Sequence, residues 1–251
     1  MIMPQLKEVK NTEAVEWQLR CELAATFRLC ARNKWNEGIG NHNSVMIPGT
    51  DHFLVNPRGL LFDEIRASDL IVADLDGNVV RGKGELRKVA YHIHARIHKL
   101  NPGATVILHV HPPYTTALSM VEGGRLELSH TNNLMLNDRI VYDDETNGPV
   151  LDNDEGDRIA KLLGDKTIMI MAAHGLTVVG PTIAEAYSEM ANVERVAEWQ
   201  WIARSGFGPM RKLPEQLRYR YNGPYGARTD AALGFAALRR QLDKHEPDYA
   251  S

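Results

Sequence analysis

Residues 105–111 read Thr-Val-Ile-Leu-His-Val-His, and this stretch decides both the expected fold and the expected site. Its first part is apolar and β-branched, which predicts a buried strand. Because side chains alternate along a strand, His109 and His111 point to the same face. Pro112 and Pro113 end the strand, since proline has no N–H to donate. The stretch therefore indicates two imidazoles placed to bind one divalent cation, although two polar residues on a half-exposed strand would give the same pattern.

A third histidine follows a second apolar stretch. Residues 167–172 read Thr-Ile-Met-Ile-Met-Ala and predict another buried strand, which leads to His174 and Gly175. The glycine permits close approach of backbone or ligand. Glu85 is expected in the first turn of a helix over residues 85–99. Three histidines with open coordination positions are typical of a catalytic metal site, and His109, His111 and His174 with Glu85 form the candidate set.

Other catalytic chemistries find little support in the sequence. The chain has no Gly-x-Ser-x-Gly elbow, no P-loop and no Gly-x-Gly-x-x-Gly after a strand. His94 and His98, one helical turn apart, are expected to be packing or surface residues because no third ligand accompanies them. Gly40-Asn41 could bring donors to an anion but by itself favours a turn.

Composition restricts the partners and the compartment. The 251 residues are 43% hydrophobic and 24% charged, with a net charge of -3, so nothing favours nucleic acid or an anionic membrane surface. Cys21 and Cys30 fall in one predicted helix, too far apart for a disulfide, which indicates reduced thiols. No secretory signal or membrane-spanning stretch is expected, and we predict a cytoplasmic protein with one domain over residues 1–251.

The remaining pattern predicts alternating helices and strands. An amphipathic helix is expected to begin at Thr12 as N-cap, and a β-hairpin is expected to turn at Asp76-Gly77. Thr182 and Glu185 have the spacing of a capping box that opens the longest helix. A final amphipathic helix forms a C-terminal extension.

At these residues the chain resembles the class II aldolase/adducin family, over nearly its whole length. Each motif alone is weak, but the set in this order is specific: Gly40-Asn41-His42-Asn43-Ser44, Asn56-Pro57-Arg58-Gly59, Glu85, His109-Val110-His111-Pro112-Pro113-Tyr114, and Ala173-His174-Gly175-Leu176.

The resemblance implies an α/β fold, an α/β/α sandwich around a largely antiparallel central sheet, assembled as a homotetramer with sites at subunit contacts. It also implies that His109, His111 and His174 bind the metal and that Glu85 is the acid/base. Zn²⁺ or Mn²⁺ is the expected ion, and Fe²⁺ or Co²⁺ would also suit histidine ligands. Tyr142, Tyr219 and Tyr221 are candidates for residues donated by a neighbouring subunit.

The chain departs from the phosphate-binding members of this family. Those members carry a Thr-Pro-Ser-Gly-like turn where this chain has Asn56-Pro57-Arg58-Gly59, and two serines where it has Lys83-Gly84. Asn41 is retained, but Arg58 and Lys83 replace the hydroxyl groups. Arginine and lysine suit a carboxylate, so Asn41, Arg58 and Lys83 are expected to bind a small-molecule carboxylate substrate.

The leading hypothesis is therefore a metal-dependent decarboxylase of a hydroxylated aromatic or heteroaromatic carboxylate, closer to the family's non-phosphorylated-substrate members than to L-fuculose-phosphate aldolase. Three alternatives stay open at this point. They are a class II aldolase acting on a hydroxy-ketone or sugar acid, an Fe(II)-dependent oxygenase of the same fold, and a non-catalytic adducin-like scaffold.

Overall fold

The computed structural model describes residues 3–217 and 230–251. The helices of these residues are α1 (Met3–Arg32), α2 (Lys88–Leu100), α3 (Pro113–Ser119), α4 (Thr131–Leu136), α5 (Asn153–Leu163), α6 (Ile183–Gly206) and α7 (Ala231–His245). The strands are β1 (His42–Met46), β2 (His52–Val55), β3 (Ile71–Asp74), β4 (Val79–Arg81), β5 (Val106–Val110), β6 (Ile140–Asp143), β7 (Ile168–Met171) and β8 (Gly175–Gly180).

The strands form one eight-stranded sheet in the order β4-β3-β2-β1-β5-β8-β7-β6. Every neighbouring pair is antiparallel except β6 and β7, which run parallel. The stretch with the two histidines, β5, lies at the centre between β1 and β8. Its register sets His109 directly opposite His42 on one side and Thr177 on the other.

Helices cover both faces of the sheet, because the strands alternate apolar side chains to both sides. Val106 and Leu108 of β5 pack in the core that also contains residues of α1, α6 and α7. Ile107, between them, packs with residues of α2 and α5 on the opposite face. His109 follows this alternation and lies on the face of α2. The fold is therefore the expected α/β/α sandwich around a largely antiparallel sheet.

Several local predictions are confirmed. Strands β3 and β4 form the hairpin around Asp76-Gly77. Thr182 is the N-cap of α6, and its Oγ1 accepts a hydrogen bond from the Glu185 backbone N–H. Cys21 and Cys30 are free and buried within α1. Among the described helices, none combines the length and the apolar character needed to cross a lipid bilayer.

Two predicted helix starts are wrong. Helix α1 begins at Met3, so Thr12 lies inside the helix, where good helix formers such as Leu6 and Lys7 precede it. Helix α2 begins at Lys88, so Glu85 lies before the helix and not in its first turn. The reason is a backbone contact, since the Glu85 carbonyl accepts a hydrogen bond from Arg58 N–H at 2.9 Å and holds this segment against the neighbouring turn.

Candidate metal centre

Three histidines lie close together at the ends of the central strands of the sheet. His109 is the penultimate residue of β5, His111 lies just beyond the strand, and His174 lies in the turn between β7 and β8. The ring centroids are 4.9–5.2 Å apart, and one nitrogen from each ring lies within 4.8 Å of the others. The antiparallel pairing of β5 with β8 produces this arrangement. The structure thus brings the three predicted ligands together.

Gly175 makes the close approach of His111 possible. A Cβ built on Gly175 would lie 2.5 Å from Cδ2 of His111 and 2.8 Å from the Val110 carbonyl oxygen. Any larger residue would therefore displace the His111 ring or the strand. The glycine after His174 is needed for the geometry of the cluster itself.

Hydrogen bonds fix the ring of His109. Its Nδ1 lies 3.0 Å from Oγ1 of Thr177, and that hydroxyl donates to Sδ of Met171 at 3.6 Å. Because the hydroxyl proton is directed to the sulfur, Nδ1 of His109 donates to the Thr177 oxygen. In the neutral ring, Nε2 is then left unprotonated, which is the form that binds a metal.

Glu37 fixes the ring of His111 by a hydrogen bond, as Thr177 fixes the ring of His109. A Glu37 carboxylate oxygen accepts a hydrogen bond from Nδ1 of His111 at 2.7 Å, and the His111 backbone N–H donates to the Trp35 carbonyl. Nε2 of His111 is buried and has no hydrogen-bond partner among the described residues. A buried nitrogen without a partner costs free energy unless a ligand satisfies it. Together with the imidazoles of His109 and His174, this orphaned atom fits a divalent cation.

Burial favours the neutral, metal-binding form of His109 and His174. The pKa of His109 lies well below its ordinary value because the ring is desolvated and lies close to His42, His174 and His111. Burial also lowers the pKa of His174, with a further contribution from His111 and an opposing one from Glu37. Near neutral pH, these two rings therefore need not release a proton before binding a cation.

A second row of histidines stands behind the first. Nδ1 of His42 contacts Nε2 of His94 at 2.7 Å, and Oγ of Ser44 bridges Nδ1 of His94 (2.5 Å) and Nε2 of His98 (2.9 Å). Nδ1 of His98 donates to the Ala104 carbonyl at 2.7 Å. The expected packing role of His94 and His98 is confirmed. Both rings lie on the same face of α2, and each contacts the Ser44 hydroxyl.

The cluster opens into a pocket of about 440 Å³. Its lining contains four histidines and four apolar side chains: His42, His109, His111 and His174, with Val89, Val150, Ile159 and Met171. The lining also carries four carboxylates, Glu37, Asp143, Glu145 and Glu155, against two guanidinium groups, Arg87 and Arg158. This excess of negative charge among the described lining residues suits a bound divalent cation.

The described lining of the pocket includes none of the residues predicted to bind substrate, and it does not include Glu85. Asn41 is buried between Gly40 and His42, its Oδ1 accepts from Glu37 N–H at 2.7 Å, and its Nδ2 has no partner among the described residues. Glu85 and Arg58 are exposed and face each other at 3.8 Å, and Lys83 is exposed. The structure therefore groups Arg58 with Glu85 but brings neither to the three histidines.

The tyrosines named as possible donors to a neighbouring site have different outcomes. The hydroxyl of Tyr142 accepts from Leu126 N–H at 3.0 Å, and the Arg125 guanidinium lies over its ring. These contacts lie within the chain. Tyr219 and Tyr221 lie outside the described residues.

Several lining residues were not predicted as site residues from the sequence, and Glu37, Arg87 and His42 are the ones closest to the argument that follows. His42 stood within a quoted motif, and its period-2 spacing to Ser44 indicates one face of a strand. No short-range signal pointed to Glu37 or Arg87, because their places depend on loops that pack across the sheet.

Comparison with known proteins identifies the family. The family model described as the Class II Aldolase and Adducin N-terminal domain matches residues 21–201. A class 2 aldolase-like protein of Pseudomonas aeruginosa is 33% identical over 246 residues, which cover 95% of this chain and 94% of the relative.

Solved structures agree with this match. An aldolase II superfamily protein from Pseudomonas syringae is 31% identical, with a TM-score of 0.85 over 94% of this chain and 96% of its own. The L-fuculose 1-phosphate aldolase of Glaciozyma antarctica shares the fold at 24% identity, with a TM-score of 0.82 over 95% of this chain and 94% of its own. The chain belongs to the class II aldolase and adducin family.

Proposed function

We propose that this protein is a metal-dependent carbon–carbon lyase, and that it decarboxylates a hydroxylated aromatic or heteroaromatic carboxylate. The observation that carries the proposal is the cluster of three histidines, with the orphaned Nε2 of His111, in the lining of a pocket that also has apolar side chains. A divalent cation held by His109, His111 and His174 would act as a Lewis acid on a phenolic or carbonyl oxygen. Zn²⁺ or Mn²⁺ is our choice of ion.

The protein's own side chains would supply binding and proton transfer. Arg58 and Lys83, with the free amide donor of Asn41, would hold a substrate carboxylate. The carbon–carboxylate bond breaks, CO₂ leaves, and the electron pair left on carbon takes a proton from Glu85, which solvent then reprotonates. Glu85 must leave Arg58 for this step. The exposed pair contributes only ~0–1 kcal/mol, so the rearrangement is cheap.

Aldol cleavage is the second candidate, and the name of the Pseudomonas aeruginosa relative as a class 2 aldolase favours it. In that reaction Glu85 would remove the proton of a substrate hydroxyl, and the carbon–carbon bond would break to release an aldehyde. The electron pair left on the carbon next to the carbonyl would then take the proton back from Glu85. An Fe²⁺-dependent oxygenase or an adducin-like scaffold would use the same fold. Thr177 and Glu37 form hydrogen bonds with Nδ1 of His109 and of His111, and these hold both rings in metal-binding tautomers. Such support for the two rings argues against a scaffold with a decayed site.

Product analysis separates these candidates. Protein loaded with Mn²⁺ or Zn²⁺ is mixed with ortho-hydroxy aromatic carboxylates, and CO₂ release is measured. Release of an aldehyde from hydroxy-ketones or sugar acids would instead establish the aldolase, and oxygen uptake by the Fe²⁺ form would establish the oxygenase. Failure of all three reactions in metal-bound protein would leave the proposal without support.

The acid/base role of Glu85 has its own control. Glu85→Gln keeps the size of the side chain but cannot donate or accept the proton, so kcat should fall by roughly 10²–10⁴. Glu122→Gln is the matched control, because Glu122 is an exposed glutamate in the turn after α3. Undiminished turnover of Glu85→Gln would remove Glu85 from the mechanism.

We also propose a homotetramer in the cytoplasm, acting on a small molecule and not on nucleic acid or membrane. Sedimentation of the purified protein tests the assembly.

A further inference from the structure

The pocket in front of the histidines contains two arginines, and their surroundings differ. Both Arg87 and Arg158 line it, together with the apolar side chains of Val150, Ile159 and Met171. These three apolar side chains are almost fully buried. A flat apolar ring could pack on them while its polar groups reach the histidines.

The charge of Arg158 is already satisfied within the protein. Its two Nη atoms hold both oxygens of buried Asp143 at 3.0 and 2.7 Å, and it contacts Glu155 at 2.7–3.1 Å. These carboxylates raise the pKa of the Arg158 guanidinium. With both partners in place, this guanidinium has little capacity left for a ligand.

Arg87 is different. It lies immediately before α2 and is half-buried. Its Nη1 donates a hydrogen bond to the Ile39 carbonyl at 3.1 Å. It forms no ion pair with any described residue. A guanidinium has five N–H donors, so most of them are available to a ligand. The positive charge also lies close enough to His42 to help lower the pKa of that ring, after burial and His94.

The two cations proposed to hold a substrate carboxylate, Arg58 and Lys83, are not part of the described lining of this pocket. Arg58 faces Glu85, its side chain is 62% exposed, and it does not line the pocket. Lys83 is exposed as well. Among the described residues of the pocket wall, Arg87 therefore combines proximity to the histidines with a guanidinium that no carboxylate neutralises.

We propose that Arg87 is the specificity-determining residue of the pocket and that it binds a second carboxylate of the substrate, one that does not contact the metal. The planar guanidinium suits bidentate binding of that group, and the Ile39 carbonyl holds it in place. This inference rests on the proposed function, since it assumes a small-molecule ligand at a metal held by the three histidines. It makes a dicarboxylate the preferred substrate class.

The test compares ligands that differ only in the second carboxylate. Salicylate carries one chelating hydroxyl/carboxylate pair, and hydroxyterephthalate and 4-hydroxyisophthalate add a second carboxylate at different ring positions. Isothermal titration calorimetry of the metal-loaded protein gives Kd for each ligand, without any need for turnover. We expect at least one dicarboxylate to bind the unaltered protein about tenfold to a hundredfold more tightly than salicylate, as a charged hydrogen-bonded pair would provide.

Variants then assign that preference to a residue. Arg87→Met, similar in size and uncharged, should bind salicylate as before but lose the preference for the dicarboxylate, and Arg87→Lys should restore part of it. Arg195→Met is the matched control and should keep the preference, because Arg195 is an exposed arginine of α6 that does not line the pocket. Metal affinity, measured alongside, should stay unchanged in all three variants, which also shows that they fold.

Three results would overturn the inference: no preference in the unaltered protein, a full preference in Arg87→Met, or its loss in Arg195→Met. Failure of the proposed decarboxylation is a separate outcome. In that case CO₂ release is absent although the Arg87-dependent preference in binding persists.

Discussion

Glu37 holds His111 in the tautomer that can bind a metal, so Glu37→Gln should weaken metal binding. In the structure the Glu37 carboxylate accepts from Nδ1 of His111 at 2.7 Å, and this leaves Nε2 as the free nitrogen. Loss of such a carboxylate–histidine contact typically costs 10–100-fold in metal affinity. Because the Glu37 side chain is 77% exposed, solvent screens its charge, and we expect the lower end, about tenfold or ~1.4 kcal/mol.

Competition with a chromogenic chelator at fixed pH measures this change. Glu145→Gln is the matched control, since it removes a carboxylate from the same pocket wall, where its contact is Arg158 at 3.7 Å. Both variants lose one negative charge, but only Glu37→Gln alters the hydrogen bond to His111. If the two variants bind metal equally well, the carboxylate does not orient the ring and the reasoning is refuted.

Three further predictions concern the same region. Gly175→Ala should displace the His111 ring, whose Cδ2 would lie 2.5 Å from the new Cβ, and should lower metal affinity in the same titration while the far-UV circular dichroism stays unchanged. Ser44→Ala should leave one buried ring nitrogen of His94 and one of His98 without a hydrogen-bond partner, at a cost of roughly 1–3 kcal/mol each, which urea denaturation would measure. A variant as stable as the unaltered protein would contradict the role of Ser44 as the bridge between the two rings. Stability should also fall at acid pH, because burial lowers the pKa of His98 to about 4 from 6.5. The unfolded chain binds the proton more tightly in that window, so lowering the pH from 6.5 to 4 should remove about 3 kcal/mol through His98, and His98→Asn should flatten this part of the pH profile.

The centre of the sheet and the three histidines could be predicted because the signals are local. Alternating and β-branched residues mark β5, the proline pair marks its end, and Gly175 marks the close approach at His174. The spacing of His109 and His111 alone put both rings on one face. The resemblance to a known family then supplied the α/β/α sandwich around a largely antiparallel sheet, which periodicity does not contain.

The errors at Glu85, Glu37 and Arg87 come from interactions that are distant in the sequence, whereas the error at Thr12 is local. Glu85 is a residue type favoured in the first turn of a helix, but its carbonyl is hydrogen-bonded to the Arg58 N–H and the helix begins only at Lys88. Thr12 carries a capping signal that the helix-forming residues before it override. Glu37 and Arg87 reach the pocket only because two loops pack beside β1, and nothing in their immediate neighbours in sequence indicates that.

The central claim is that His109, His111 and His174 together hold one divalent cation. The most direct test is the metal stoichiometry of protein reconstituted with Zn²⁺ or Mn²⁺ and dialysed free of excess ion, combined with X-ray absorption spectroscopy of the bound ion. We predict one ion per chain with a shell that contains three imidazole nitrogens, and loss of that ion in His174→Ala while the fold is retained. A protein that binds no ion, or that keeps it with the same shell in His174→Ala, would contradict the claim.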